Sequence, residues 1–103
     1  MTASHPAVDG DWLVPDWPAP AGVRASFTPR GRSAADGASA PPWAHFNLGD
    51  HVGDAPVAVA ANRARLGAAI GARPVFLNQV HGTAVLTLAP DSADGATAPA
   101  AVT

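Results

Sequence analysis

Apolar residues along the chain fall into short runs, and each run carries the period of one kind of element. Val23 to Thr28 alternates, with Val23, Ala25 and Phe27 on one face, which predicts a half-buried strand closed by Pro29. Val75 to Val80 and Ala84 to Leu88 are rich in strand formers. The linker His81-Gly82-Thr83 has hairpin length, and Gly82 can take the positive φ that such a turn asks for. Trp43 to Leu48 predicts one more short strand, ended at Gly49. Between these runs the period changes: Val59, Leu66 and Ile70 recur at helical spacing. Asp54 stands where an acidic N-cap belongs, and Pro56 lies in the first turn, where a missing amide proton costs nothing. The helix is therefore predicted from about residue 55 to Ile70, with Gly71 as its left-handed stop and Pro74 beyond.

The remaining segments lack either period. Residues 1–21 carry four prolines between and around Trp12 and Trp17 and are predicted to form an extended arm whose indoles dock on the body. Arg30 to Pro42 is predicted to be a mobile loop, and Asp91 to Pro99 a polar one. The expected fold class is α+β. Strands around Phe27, Phe76 and Val85 form a mixed β-sheet, and the helix over residues 55–70 packs on one face. The final Ala101-Val102-Thr103 reads as the first half of a strand, so residues 22–103 are expected to be the N-terminal part of a larger α/β-layered domain whose C-terminal half is absent.

Composition narrows the function classes. Of 103 residues 48% are hydrophobic, but 25 are alanines, and Val, Leu, Ile and Phe together number only 20, so any core is thin. All six cations are Arg, all eight anions are Asp, and the net charge is −2. The arginines are scattered, which leaves no basic stripe for a nucleic acid backbone. No apolar run is long enough to span a bilayer, and the acidic opening does not resemble a secretory leader, so a cytoplasmic location is expected. The absence of cysteine excludes disulfides, thiolate nucleophiles and cysteine metal ligands within these residues.

Several polar residues stand where chemistry is possible. His81, beside Gly82 and between two apolar runs, would have its ring fixed with one face open; a structural histidine at a strand end is the alternative. One histidine cannot hold zinc tightly, because a catalytic site takes three protein ligands. His45 and His51 lie six apart, a spacing that matches neither a helical nor a strand pair of ligands. Arg30 could clamp an anionic or planar ligand or be an ordinary surface arginine. Asp50 and Asp54 flank a polar turn that either caps the helix or competes with an anion for its amides. Asn62 and Arg63 fall in or beside the apolar stripe, where they need backbone carbonyls or an aspartate as partners.

Read together, Gly22-Val23-Arg24-Ala25-Ser26-Phe27-Thr28, Phe46-Asn47-Leu48-Gly49, His51-Val52-Gly53-Asp54, Asn62-Arg63 and Asn78-Gln79-Val80-His81-Gly82-Thr83 resemble, in order and spacing, the laccase-domain or multicopper polyphenol oxidase family. Members of that family are also described as purine nucleoside phosphorylases and as a peptidoglycan editing factor. The resemblance implies a zinc-dependent enzyme, with copper as the alternative metal, acting on purine nucleosides and phosphate and deaminating adenosine. It implies that His81 is a metal ligand at the catalytic centre, and that Arg30 and Asn47 bind substrate. The other two ligands, a cysteine in an Ala-Asp-Cys element and a histidine in a His-Ala-Gly-Trp-Arg element, are expected beyond Thr103. On that reading the chain alone is inactive. The competing expectation is a non-catalytic α+β module or remnant that binds a partner or a metal weakly.

Overall fold

The computed structural model describes residues Trp12 to Thr103, so the predicted arm lies outside the described residues over positions 1–11. The chain divides into two compact units, one ending at Ala72 and the other running from Arg73 to Thr103. The class is α+β: among the described residues there are one helix, α1 (Pro56–Ile70), and four short strands, β1 (Asn78–Gln79), β2 (Val85–Thr87), β3 (Thr97–Ala98) and β4 (Ala100–Val102).

In the first unit α1 runs over the predicted residues. Pro56 sits at its start, and Gly71 closes it at φ 67° with its N–H donated to the carbonyl of Gly67. The cap differs from expectation. Ala55 occupies the N-cap position without a side-chain bond, and Asp54, one residue earlier, accepts the Ala55 N–H at 2.7 Å through Oδ1. The buried stripe of α1 is Ala58, Val59 and Asn62, with Leu66 and Ile70 only half-buried, so a polar residue sits at its centre. Trp12 and Phe46, both buried, lie 5.8 Å apart between ring centroids at 31°. Of the two indoles expected to dock, Trp12 does, whereas Trp17 remains 46% exposed.

Two predicted strands of this unit are absent as strands. The Val23–Thr28 run is reduced to an antiparallel bridge between Phe27 and Leu13, with N–H to O distances of 2.7 and 3.0 Å. Residues 43–48 form no strand, because the N–H groups of His45 and Phe46 both turn to the single carbonyl of Arg30 at 2.9 and 2.7 Å. Nor is the aperiodic 30–42 segment a free loop. Asp36 Oδ2 accepts the N–H groups of Arg32 and Ser33, and Gly37 lies buried against the His45–Phe46 backbone. A Cβ at Gly37 would come within 2.2 Å of the His45 carbonyl oxygen, so only glycine allows that approach.

The second unit replaces the expected hairpin by parallel pairing. β1 pairs with β3, Asn78 opposite Thr97 and Gln79 opposite Ala98. β2 pairs with β4, Val85 opposite Ala100, Leu86 opposite Ala101 and Thr87 opposite Val102. Both runs that were expected to face each other thus pair with the segment downstream. The chain between Gln79 and Thr97 is long enough for the crossover that parallel strands require. Between the two ladders residues 80–84 stand on one side and Pro99 alone on the other, so His81-Gly82-Thr83 is an excursion from the ladder. Pro99 has no N–H to donate and interrupts β3 from β4. At Gly82, φ 156°, an added Cβ would meet Pro99 Cγ at 3.3 Å, which makes a hydrogen the best fit there. The unit is closed by Arg73, which donates to the carbonyls of Ser92 and Pro90 at 2.7 Å each, and by Asp94, which accepts the Phe76 N–H at 2.9 Å. Among the described residues no helix is long and apolar enough to cross a membrane.

Candidate functional site

The first unit builds its polar centre around Asn62. Only 1% of this residue is exposed, and every hydrogen-bonding atom of its amide is engaged. Oδ1 accepts the Ala38 N–H at 2.8 Å, and Nδ2 donates to Ser39 Oγ at 2.9 Å and to the Asn47 carbonyl at 2.8 Å. Ser39 in turn donates to Asp54 Oδ2 at 2.5 Å, and Asn47 Nδ2 donates to the same oxygen at 3.1 Å. These bonds close a ring through Asn62, Ser39, Asp54 and Asn47 that ties helix α1 to both loops in front of it. The Ser39 hydroxyl above all holds the Asp54 carboxyl below its ordinary range; burial opposes it, and the Asn47 amide and the Ala55 N–H add lesser contributions in the lowering direction. Arg63 extends the arrangement by donating Nε to the Leu48 carbonyl at 2.8 Å, with Asp50 Oδ1 3.7 Å from its Nη2. Both polar residues of the helical stripe therefore take the carbonyl and aspartate partners that their positions demand.

This ring supports an open cavity of about 450 Å³ whose wall includes Thr28, Arg30, Trp43, Phe46, Asn47 and Leu48. Arg30 is anchored in it: Nε donates to the Ala44 carbonyl, and Nη2 donates to the Pro42 carbonyl at 3.0 Å. Asn47 is anchored as well. Its Oδ1 accepts the Gly49 N–H at 3.1 Å, and its Nδ2 donates to the Gly49 carbonyl at 2.9 Å besides Asp54. Its amide is thus spent largely on its own loop, which leaves one lone pair of Oδ1 for a ligand. Two of the residues singled out from the sequence, Arg30 and Asn47, accordingly share one cavity. Trp43 and Ser39 were missed. Ser39 lies in a segment without periodicity, and the only signal for Trp43 was its aromatic character in a supposed strand.

His81 belongs to the second unit, where it lies exposed in the bend between β1 and β2. The bend is held on either side by parallel ladders, and Gln79 Nε2 donates across it to the Pro99 carbonyl at 3.1 Å. No three His, Asp or Glu side chains among the described residues converge as metal ligands do. His51 pairs instead with Asp50 at 3.2 Å on the surface. The described residues therefore do not by themselves make up a metal centre, since a catalytic zinc takes three protein ligands.

Residues 25–103 match the family described as multi-copper polyphenol oxidoreductase laccase. Among its relatives, a purine nucleoside phosphorylase of Pseudomonas aeruginosa is 49% identical over 79 residues, which cover 77% of this chain and 31% of the relative. A purine nucleoside phosphorylase of Escherichia coli is 47% identical over 78 residues, 74% of this chain and 30% of the relative. One from Mycobacterium tuberculosis is 68% identical over 54 residues, 50% of this chain and 22% of the relative. The chain spans about 30% of the length of the first two of these proteins. With the family match running through both units, the chain belongs to the multi-copper polyphenol oxidoreductase laccase family.

Proposed function

We propose that this chain is the N-terminal part of an enzyme that cleaves purine nucleosides with phosphate. In this reading residues 22–103 carry the N-terminal portion of its domain, and deamination of adenosine is a second reaction of the same centre. The observation that carries the reading is the 49% identity, over 77% of the chain, to a protein named as a purine nucleoside phosphorylase. In phosphorolysis a phosphate oxygen bonds to the ribose carbon C1′ while the bond from C1′ to the base nitrogen breaks, and the leaving base takes up a proton. Substrate would sit against Arg30 and Asn47. The guanidinium of Arg30 is held by two carbonyls, so its positive charge stands ready for an anionic phosphate without rearranging. Asn47 offers its remaining acceptor to a sugar hydroxyl or base N–H. His81 is assigned as one ligand of a zinc ion, with copper as the alternative, and the other two ligands come from outside these 103 residues.

Phosphate-dependent release of hypoxanthine from inosine tests this reading, together with the gene sequence after codon 103. A cysteine and a histidine element in frame, and no turnover by the 103-residue chain alone, are the expected results. Strong turnover that survives His81→Ala would remove the metal-ligand role, and a stop codon after Thr103 would remove the enzyme. That second outcome favours a non-catalytic α+β module.

A further inference from the structure

We infer that Trp43 is the base-recognition residue of the cavity beside Arg30 and Asn47, an aromatic wall for a purine ring, and that Arg30 is its positioning residue. This deepens the proposed function and rests on the cavity taking a purine nucleoside. The indole is built in before any ligand arrives. Its sole polar atom, Nε1, donates to the Val52 carbonyl at 3.0 Å, so Trp43 has only apolar and π surface left to offer. Gly53, at φ 90°, lies against the ring, and a Cβ there would meet Cζ2 at 3.4 Å. Arg30 donates to the carbonyls of Pro42 and Ala44, the two residues that flank Trp43 in the chain. The backbone of Trp43 is thus clamped before and after, and its side chain is pinned at the tip.

Such a fixed aromatic loses little freedom on binding. A purine has a π face whatever its substituents, so stacking accepts hypoxanthine, guanine and adenine alike. Phosphate and ribose carry no such face. Trp43 is therefore expected to act on the base half of the ligand alone, while Arg30 also provides charge for the phosphate half. The other aromatic in the cavity wall, Phe46, is 5% exposed and packed on Trp12, which leaves Trp43, half-buried, as the more accessible of the two.

The indole N–H signals of the 103-residue chain report on this directly, because its three tryptophans are distinguishable once Trp43→Phe assigns one of them. Affinities of the chain, Trp43→Leu and Trp43→Phe for inosine, hypoxanthine and ribose 5-phosphate are measured by calorimetric titration, which needs no indole at residue 43, and the indole signal follows the position of Trp43 in the proteins that keep it. Trp43→Leu should weaken inosine and hypoxanthine by about five-fold or more, Trp43→Phe should restore both, and ribose 5-phosphate should not distinguish the three proteins. Arg30→Lys should move the Trp43 indole signal with no ligand present. Unchanged inosine affinity in Trp43→Leu, or equal loss for all three ligands, would overturn the role of Trp43. An unmoved indole signal in Arg30→Lys would overturn the positioning role. Failure of the unsubstituted chain to bind inosine at all would instead remove the cavity reading on which both stand.

Discussion

Replacing Asn62 by alanine removes the buried residue that bonds helix α1 to both preceding loops at once. Three bonds of 2.9 Å or less are lost, to the Ala38 N–H, Ser39 Oγ and the Asn47 carbonyl. At a net ~1 kcal/mol each the loss is about 3 kcal/mol, rising toward ~5 kcal/mol where the abandoned groups stay dry. That is a large share of the ~5–15 kcal/mol that holds a domain of this size. Urea titration followed by tryptophan fluorescence measures it, since Trp12 and Trp43 both lie in the same unit as Asn62. Asn62→Asp sharpens the test. A carboxylate can still accept from Ala38, but it cannot donate to the Asn47 carbonyl, and it places a second negative charge in the ring that already contains Asp54. It should destabilise at least as much as alanine, and recover partly on acidification as it protonates. A loss below about 0.5 kcal/mol for Asn62→Ala, with an unchanged denaturant slope, would refute the claim that this ring organises the unit.

Gly37→Ala forces a Cβ onto the His45–Phe46 backbone and should cost about 1–3 kcal/mol, read as a fall in the thermal midpoint. Asp54 has its folded-state pKa depressed below 3.8, so the stability it contributes is complete above that pH and is lost as pH falls through the lowered value. Asp54→Asn should accordingly weaken the chain at neutral pH and flatten its acid unfolding curve; a curve that keeps its original slope would contradict the assignment. Arg63→Ala leaves the Leu48 carbonyl without its partner and should cost about 1–2 kcal/mol in the same urea titration, whereas removing Asp50, which is exposed, should change little.

Local signals made α1 legible. Pro56 at its start, Gly71 at its end and the apolar spacing between them act within a few residues, so the sequence states them directly. The demand of Asn62 and Arg63 for partners was equally readable, because a polar group in a buried stripe needs them wherever they come from. Which atoms answered that demand was decided by tertiary structure. Ser39 lies 23 residues from Asn62 in a stretch without periodicity, and nothing local in that stretch announces the contact. Pairing was undecided for the same reason. Both strand runs around His81 have the composition of strands, but a run of strand formers does not say whether its partner is the next run or the one after. Here the downstream segment around Pro99 takes both, in parallel, and turns an expected hairpin loop into an excursion. The motif residues Arg30, Asn47 and His81 could be picked out along the chain, but the grouping of Arg30, Asn47 and Trp43 around one cavity depends on long-range hydrogen bonds that only the folded chain can form.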